Sequence, residues 1–212
     1  MAKRNLEAAA RAAEVPIFVQ WEPMFLAPDT PPEGWDLRYF MESKYGQAAA
    51  DNFLSPNHVL KVAGRKAGIE FNDNRRLLQT LDSHRLVEFC RETKPERENE
   101  LMEHMLWRYN VEAQDMSKPL NLVECAVACG LSRNETAIML ASDKYRELVQ
   151  TKIADNMAML KRHRRPIPYT TIKASSGAEL FSGVLPAGAK SEGLSDLILE
   201  MWELAASDHG QS

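Results

Sequence analysis

Between residues 36 and 164 apolar side chains recur at helical spacing almost without a break, and short β-rich runs stand on either side of that block. Leu37, Phe40, Met41 and Tyr45 recur at this spacing, as do Val59, Val62, Ala63 and Ala67, and then Leu77, Leu78, Leu81, Leu86, Val87 and Cys90. Three further helices are expected at about 98–110, 118–129 and 143–162. Gly130 follows the Asn121–Cys129 segment and marks a helix end, because glycine enters the left-handed region without steric cost. Any sheet in such a chain has to gather its strands from both ends of the sequence, with the helices inserted between them.

The first flank opens on an Ala-rich helix. Leu6, Ala9, Ala10 and Ala13 form one apolar face, and Lys3, Arg4, Glu7, Arg11 and Glu14 occupy most of the other. No Ser, Thr, Asp or Pro stands ahead of it as a cap, so the chain reads as starting inside a helix. Val15-Pro-Ile-Phe-Val-Gln-Trp21 then reads as a strand with Ile17, Val19 and Trp21 on one face and Pro16 near its start. The loop Glu22–Gly34 carries four prolines, which block both helix and sheet. In the second flank, Pro166–Lys173 and Glu179–Ser182 read as a hairpin around Ser175–Ala178. A Gly/Pro-rich loop, Gly183–Gly193, leads to a closing helix around Leu194–Ala206 with Leu194, Leu197, Ile198, Met201 and Trp202 on one face.

Composition narrows the function. The 212 residues are 44% apolar, enough for a core, and the net charge of −4 lacks the basic surplus of a dedicated nucleic-acid binder. No apolar run approaches a bilayer-spanning length, and the N-terminus has no signal-peptide core, so neither membrane nor export is expected. Three cysteines, an odd number, give no disulfide framework and suit a reducing, cytoplasmic compartment.

Several segments together resemble the DsbA-like thioredoxin-fold family, most closely its FrnE-like branch. They are Val19-Gln-Trp-Glu-Pro-Met-Phe-Leu-Ala-Pro-Asp29 with Pro32-Glu-Gly34, Lys44-Tyr-Gly46, and Gln79-Thr-Leu-Asp-Ser-His-Arg-Leu-Val87. Cys129-Gly-Leu131, the Ile167-Pro168 step and Ser182-Gly183 complete the ordered set, which covers nearly the whole chain. The 2-hydroxychromene-2-carboxylate isomerases and kappa-class glutathione transferases share this architecture. The resemblance implies an α/β thioredoxin-like fold over 1–206, with fold parts at 1–22 and 165–206 and a large helical insertion at 36–164. It also implies a first β-strand ending in Cys-Pro-x-Cys just ahead of Ala2-Lys-Arg-Asn-Leu-Glu-Ala-Ala9. That strand and dithiol are missing from the chain as written, so the first strand reads as truncated.

The implied activity is thiol–disulfide oxidoreduction or isomerisation, with a thiol/disulfide protein or glutathione as partner and a second copy of the chain as a candidate for dimerisation. Without the dithiol the chain is expected to be inactive in exchange, and no catalytic residue is assigned. The alternatives are a non-catalytic binding protein for peptide or glutathione, and a glutathione-dependent isomerase or transferase, which would need a serine upstream. No cofactor is expected apart from glutathione as a candidate ligand.

The resemblance places Ile167 and Pro168 at the substrate site, with Pro168 after a cis bond; the alternative is an ordinary trans proline opening a strand. His84 reads either as a polar residue near the cleft or as a helix residue bonded to a neighbour. Pro23 and Phe25 are candidates to wall a substrate groove, whereas Trp21 reads better as core. Cys125 and Cys129, four apart in a helix, and Cys90 read as small buried residues rather than a redox or metal pair. Glu100, Glu103 and His104 lack partner ligands on the sequence, so no metal site is expected. Lys161–Arg165 reads as a solvated helix C-terminus, where cations suit the dipole.

Overall fold

The computed structural model describes residues 1–165, 167–174, 176–184, 194–196 and 198–202. The chain divides into two compact units, one of residues 1–18 with those from 159 onward, the other of residues 19–158.

In the first unit, helix α1 (Ala2–Ala12) buries Ala9 and Ala10 and has no side-chain cap at its start, as its sequence predicts. These alanines pack with Leu194, Ile198 and Met201, while Leu6, Ala13, Val15, Ile172, Leu180 and Phe181 close around them. Residues 194–196 and 198–202 are helical. Trp202, expected on the apolar face, is 47% exposed instead, because it lies a step beyond the Leu194/Ile198/Met201 line. Leu197 and residues 203–206 of the expected closing helix lie outside the described residues, as does most of the Gly183–Gly193 loop.

The second unit is helical: α2 (Leu37–Tyr45), α3 (Gln47–Leu54), α4 (Val59–Lys66), α5 (Leu81–Thr93), α6 (Glu98–Asn110), α7 (Pro119–Ala128), α8 (Arg133–Ala141) and α9 (Arg146–Arg162), which extends past residue 158. Their starts follow local chemistry. Asp36 caps α2 by accepting from Tyr39 N–H at 3.0 Å, α7 begins on Pro119, and Ser132 caps α8 through Glu135 N–H. Gly130 sits at φ +78° just beyond α7, as expected of a helix stop. The core joins Leu86, Val87, Cys90, Leu101, Leu122, Cys125, Met139 and their neighbours. The face containing Val59 is not buried; α4 turns Lys61 and Gly64 inward, and Lys61 Nζ donates to Leu54 O at 2.6 Å and pairs with Asp73.

Two short antiparallel ladders occur. β1 (Trp35–Asp36) pairs with β2 (Arg76–Leu77), and β3 (Thr170–Lys173) pairs with β4 (Glu179–Gly183). The second is the expected hairpin, with Gly177 at φ +89° in its turn. The first was not expected: Leu77 and Leu78 share helical spacing with Leu81, yet the helix begins only at Leu81 and Leu77 faces Trp35. Gly34 permits this approach, because a Cβ there would lie 2.6 Å from Leu77 O.

The expected strand Val15–Trp21 does not form among the described residues. Its β-branched and aromatic residues do lie outside helix, but Phe18 is 70% exposed and no ladder claims the segment. A strand needs a partner backbone, which propensity alone does not supply.

Candidate functional site

The segment after residue 18 is held by side chains instead of by a sheet. Trp21 N–H donates to Glu98 Oε1 at 2.7 Å, Arg91 Nη2 donates to Trp21 O at 2.5 Å, and Trp21 Nε1 donates to Asn99 Oδ1 at 3.1 Å. Asn156 Nδ2 donates to Pro23 O at 2.9 Å, and Gln79 Nε2 donates to Thr30 O at 2.7 Å. Prolines cannot supply ladder donors, so in this loop carbonyls outnumber N–H groups, and Arg91 of α5, Asn156 of α9 and Gln79 just ahead of α5 answer them with guanidinium and amide donors. Arg91 also reaches Glu88 and Glu98, and Lys152 pairs with Glu88 at 2.7 Å, which balances the buried charges.

His84 belongs to this arrangement. Its Nε2 lies 3.2 Å from Met24 O and 3.3 Å from Thr80 Oγ1, and its ring centroid is 6.3 Å from that of Phe25. A carbonyl can only accept, so Nε2 carries the hydrogen. Burial lowers the His84 pKa, against the pull of the Met24 carbonyl and the Glu88 charge, and favours the neutral ring. His84 and Phe25 therefore come together beside the irregular 23–25 segment, while Pro23 itself is buried. His84 pins this loop to α5.

Ile167 and Pro168 stand in the first unit, both exposed, directly ahead of β3, and the bond between them is cis. Tyr169 next to them contacts Ser182 Oγ of β4 through its hydroxyl, and the Arg165 guanidinium lies 5.5 Å from the Tyr169 ring centroid. Lys161–Arg165 are exposed at the end of α9, in line with a solvated C-terminus.

The cysteines are all free thiols and all buried, as the sequence reading expects. Burial pushes the Cys90 and Cys125 thiols up to about 11 and the Cys129 thiol up to about 12. Cys90 lies in the last turn of α5, Cys125 inside α7, and Cys129 at the C-terminal end of α7. None sits at a helix N-terminus, where the dipole would stabilise a thiolate; the end of α7 does the opposite.

One association escaped the sequence reading. Glu100 and His104, one turn apart on α6, meet Cys129: one ligand atom from each lies within 4.8 Å of the others. The i,i+4 pair was legible, but the third member comes from the next helix and depends on how α6 packs on α7. No described helix is long and apolar enough to cross a membrane.

No protein-family model matches the sequence, and no curated protein does. Among solved structures the chain is similar to a crystal structure described as a probable DsbA oxidoreductase from Streptomyces coelicolor. The likeness has a TM-score of 0.71 at 21% identity, covering 95% of this chain and 83% of that one. The fold is a DsbA-like thioredoxin fold with a helical insertion.

Proposed function

We propose that this chain is a FrnE-like relative of the DsbA oxidoreductases that binds a thiol/disulfide peptide or glutathione beside Ile167 and Pro168, in a reducing cytoplasm, without itself carrying out dithiol exchange. The observation that carries the second half is the placement of the three cysteines. Exchange begins with attack by an accessible thiolate on a disulfide sulfur. With a thiol held near 11, only about one molecule in ten thousand carries the thiolate at neutral pH, and the sulfurs of Cys90, Cys125 and Cys129 are out of solvent as well.

The binding half is supported by the fold likeness and by the exposed Ile167–Pro168 step at the head of β3. Among the described residues β3 hydrogen-bonds to β4 alone, so an extended peptide, including one from a second copy, can add to the opposite edge through main-chain bonds. An apolar contact on Ile167 would complement such a strand.

The test is an insulin-reduction assay on the pure 212-residue chain beside calorimetric titration with glutathione and with a mixed-disulfide peptide. The expected result is no turnover above the reductant alone, together with binding that Ile167→Glu weakens. Turnover abolished by cysteine alkylation would remove the claim of inactivity. Absence of binding to either ligand would remove the substrate-site reading.

A further inference from the structure

We propose that Glu100, His104 and Cys129 form a binding site for one divalent cation of the zinc class, a role separate from any thiol–disulfide function. A carboxylate, an imidazole and a thiol form a mixed oxygen, nitrogen and sulfur donor set that suits zinc and fits poorly to magnesium or calcium, which take oxygen ligands. Their ligand atoms already lie within 4.8 Å of one another. Tetrahedral zinc, with arms of roughly 2.0–2.3 Å, holds its ligand atoms about 3.3–3.8 Å apart. Closing that difference takes shifts of about an ångström in the ligand atoms.

The surroundings fit a site held from two helices. Glu100 and His104 are adjacent on the same face of α6, and Cys129 closes α7. Arg97 Nη1 donates to Glu100 Oε2 at 2.6 Å, which orients the carboxylate and leaves its other oxygen for the metal. Lys94 Nζ donates to Gly130 O at 2.6 Å and so fixes the turn that carries Cys129. Among the described residues, neither the His104 ring nor the Cys129 sulfur has a hydrogen-bond partner that would have to be displaced. As the S–metal bond forms, the Cys129 proton passes to solvent, so thiolate and carboxylate together bring two negative charges to the divalent ion. Glu100 and His104 are half-exposed, which gives the ion a way in and leaves the fourth position to water.

The probe is Co²⁺ added to the chelator-treated full chain under reducing conditions, with Zn²⁺ as competitor. The expected result is one Co²⁺ per chain, visible d–d bands of a tetrahedral ion and a near-ultraviolet sulfur-to-cobalt band, all removed by one equivalent of Zn²⁺. His104→Gln and Glu100→Gln, on half-exposed positions, should each weaken binding about tenfold or more. Cys129→Ala should abolish the sulfur band, whereas Cys90→Ala and Cys125→Ala should keep it. If Cys129→Ala does not fold by circular dichroism, His104→Gln decides alone. Absence of the bands, or bands that persist unchanged in His104→Gln, would overturn the proposal, as would a sulfur band lost with Cys90 or Cys125 instead.

Discussion

Charged side chains run through the core of the unit spanning residues 19–158, whereas the unit that begins with α1 packs alanines, two short strands and a few long apolar side chains. In the first case Arg85 is completely buried and donates to Lys144 O at 2.9 Å, Met139 O at 2.9 Å, Leu140 O at 3.4 Å and Ser142 O, with Asp82 as its counter-charge at 2.7 Å. Those carbonyls belong to the end of α8 and the turn beyond it, where helices leave acceptors unsatisfied. In the second case Ala9 and Ala10 bring α1 close to Leu194, Ile198 and Met201, with no buried polar group among the described members of that cluster. A polar strut is worth little while its partners are present and costs much when one is removed. An apolar cluster of small groups can relax around a loss.

The largest expected effect is therefore on the strut. Arg85→Met should destabilise the chain by about 4 kcal/mol, since it strands several buried carbonyls and leaves Asp82 without its partner. Urea titration would measure it, and a cost below that of a surface substitution would show that water replaces the guanidinium. Next come matched truncations in the two cores. Leu101→Ala, at a fully buried position, should cost about 4 kcal/mol, and Ile198→Ala nearer 2 kcal/mol, because its neighbours Leu6, Ala13 and Val15 are only partly buried and can close in. Equal costs would remove the contrast.

Titration sharpens the comparison further, because the groups with the clearest burial shifts lie in the helical unit. Burial holds the Cys90 and Cys125 thiols near 11, above the ordinary value of about 8.5. The folded chain keeps these protons more tightly than the unfolded one, so their contribution is complete below about pH 8.5 and is lost as pH rises through about 11. Each thiol can add a slope of at most about 1.4 kcal/mol per pH unit. A Cys90→Ala/Cys125→Ala variant should show a flatter alkaline limb in stability against pH. His84 acts at the other end. Its pKa is lowered by burial from 6.5, so its contribution is present above pH 6.5 and fades as pH falls through the folded value. His84→Gln should therefore flatten the acid limb.

The smallest expected effect runs in the opposite direction. Thr136 Oγ1 is buried without a hydrogen-bond partner. Thr136→Val keeps the shape and removes that group, and should stabilise by up to about 1 kcal/mol in the same urea titration. A loss would mean that the hydroxyl has a partner in solution.

Much of the helical unit was legible because its signals are local. Apolar spacing located α2, α5, α6 and α7, and Gly130 marked the end of α7. Helix α8 was missed although Ser132-Arg-Asn-Glu135 carries the spacing of a capping box, because residues 133–141 lack a clean apolar stripe: Thr136, Met139 and Leu140 are buried while Ile138 is 60% exposed. The site residues were legible one by one and not as groups. His84 next to Met24 spans 60 positions of sequence, and Trp21 on Glu98 spans 77.

Sequence alone determined that the block between residues 36 and 164 is built mainly of helices, where the β3–β4 hairpin turns, and that Cys90, Cys125 and Cys129 are core residues. Each of these follows from residue type and a period of two or 3.6, which act over a few residues. Tertiary structure decided the rest. It left Val15–Trp21 without a ladder, moved Leu77 from a helix to a strand beside Trp35, and set Cys129 against Glu100 and His104. Those outcomes depend on which backbone or side chain arrives from far along the chain, and a local pattern holds no record of that arrival.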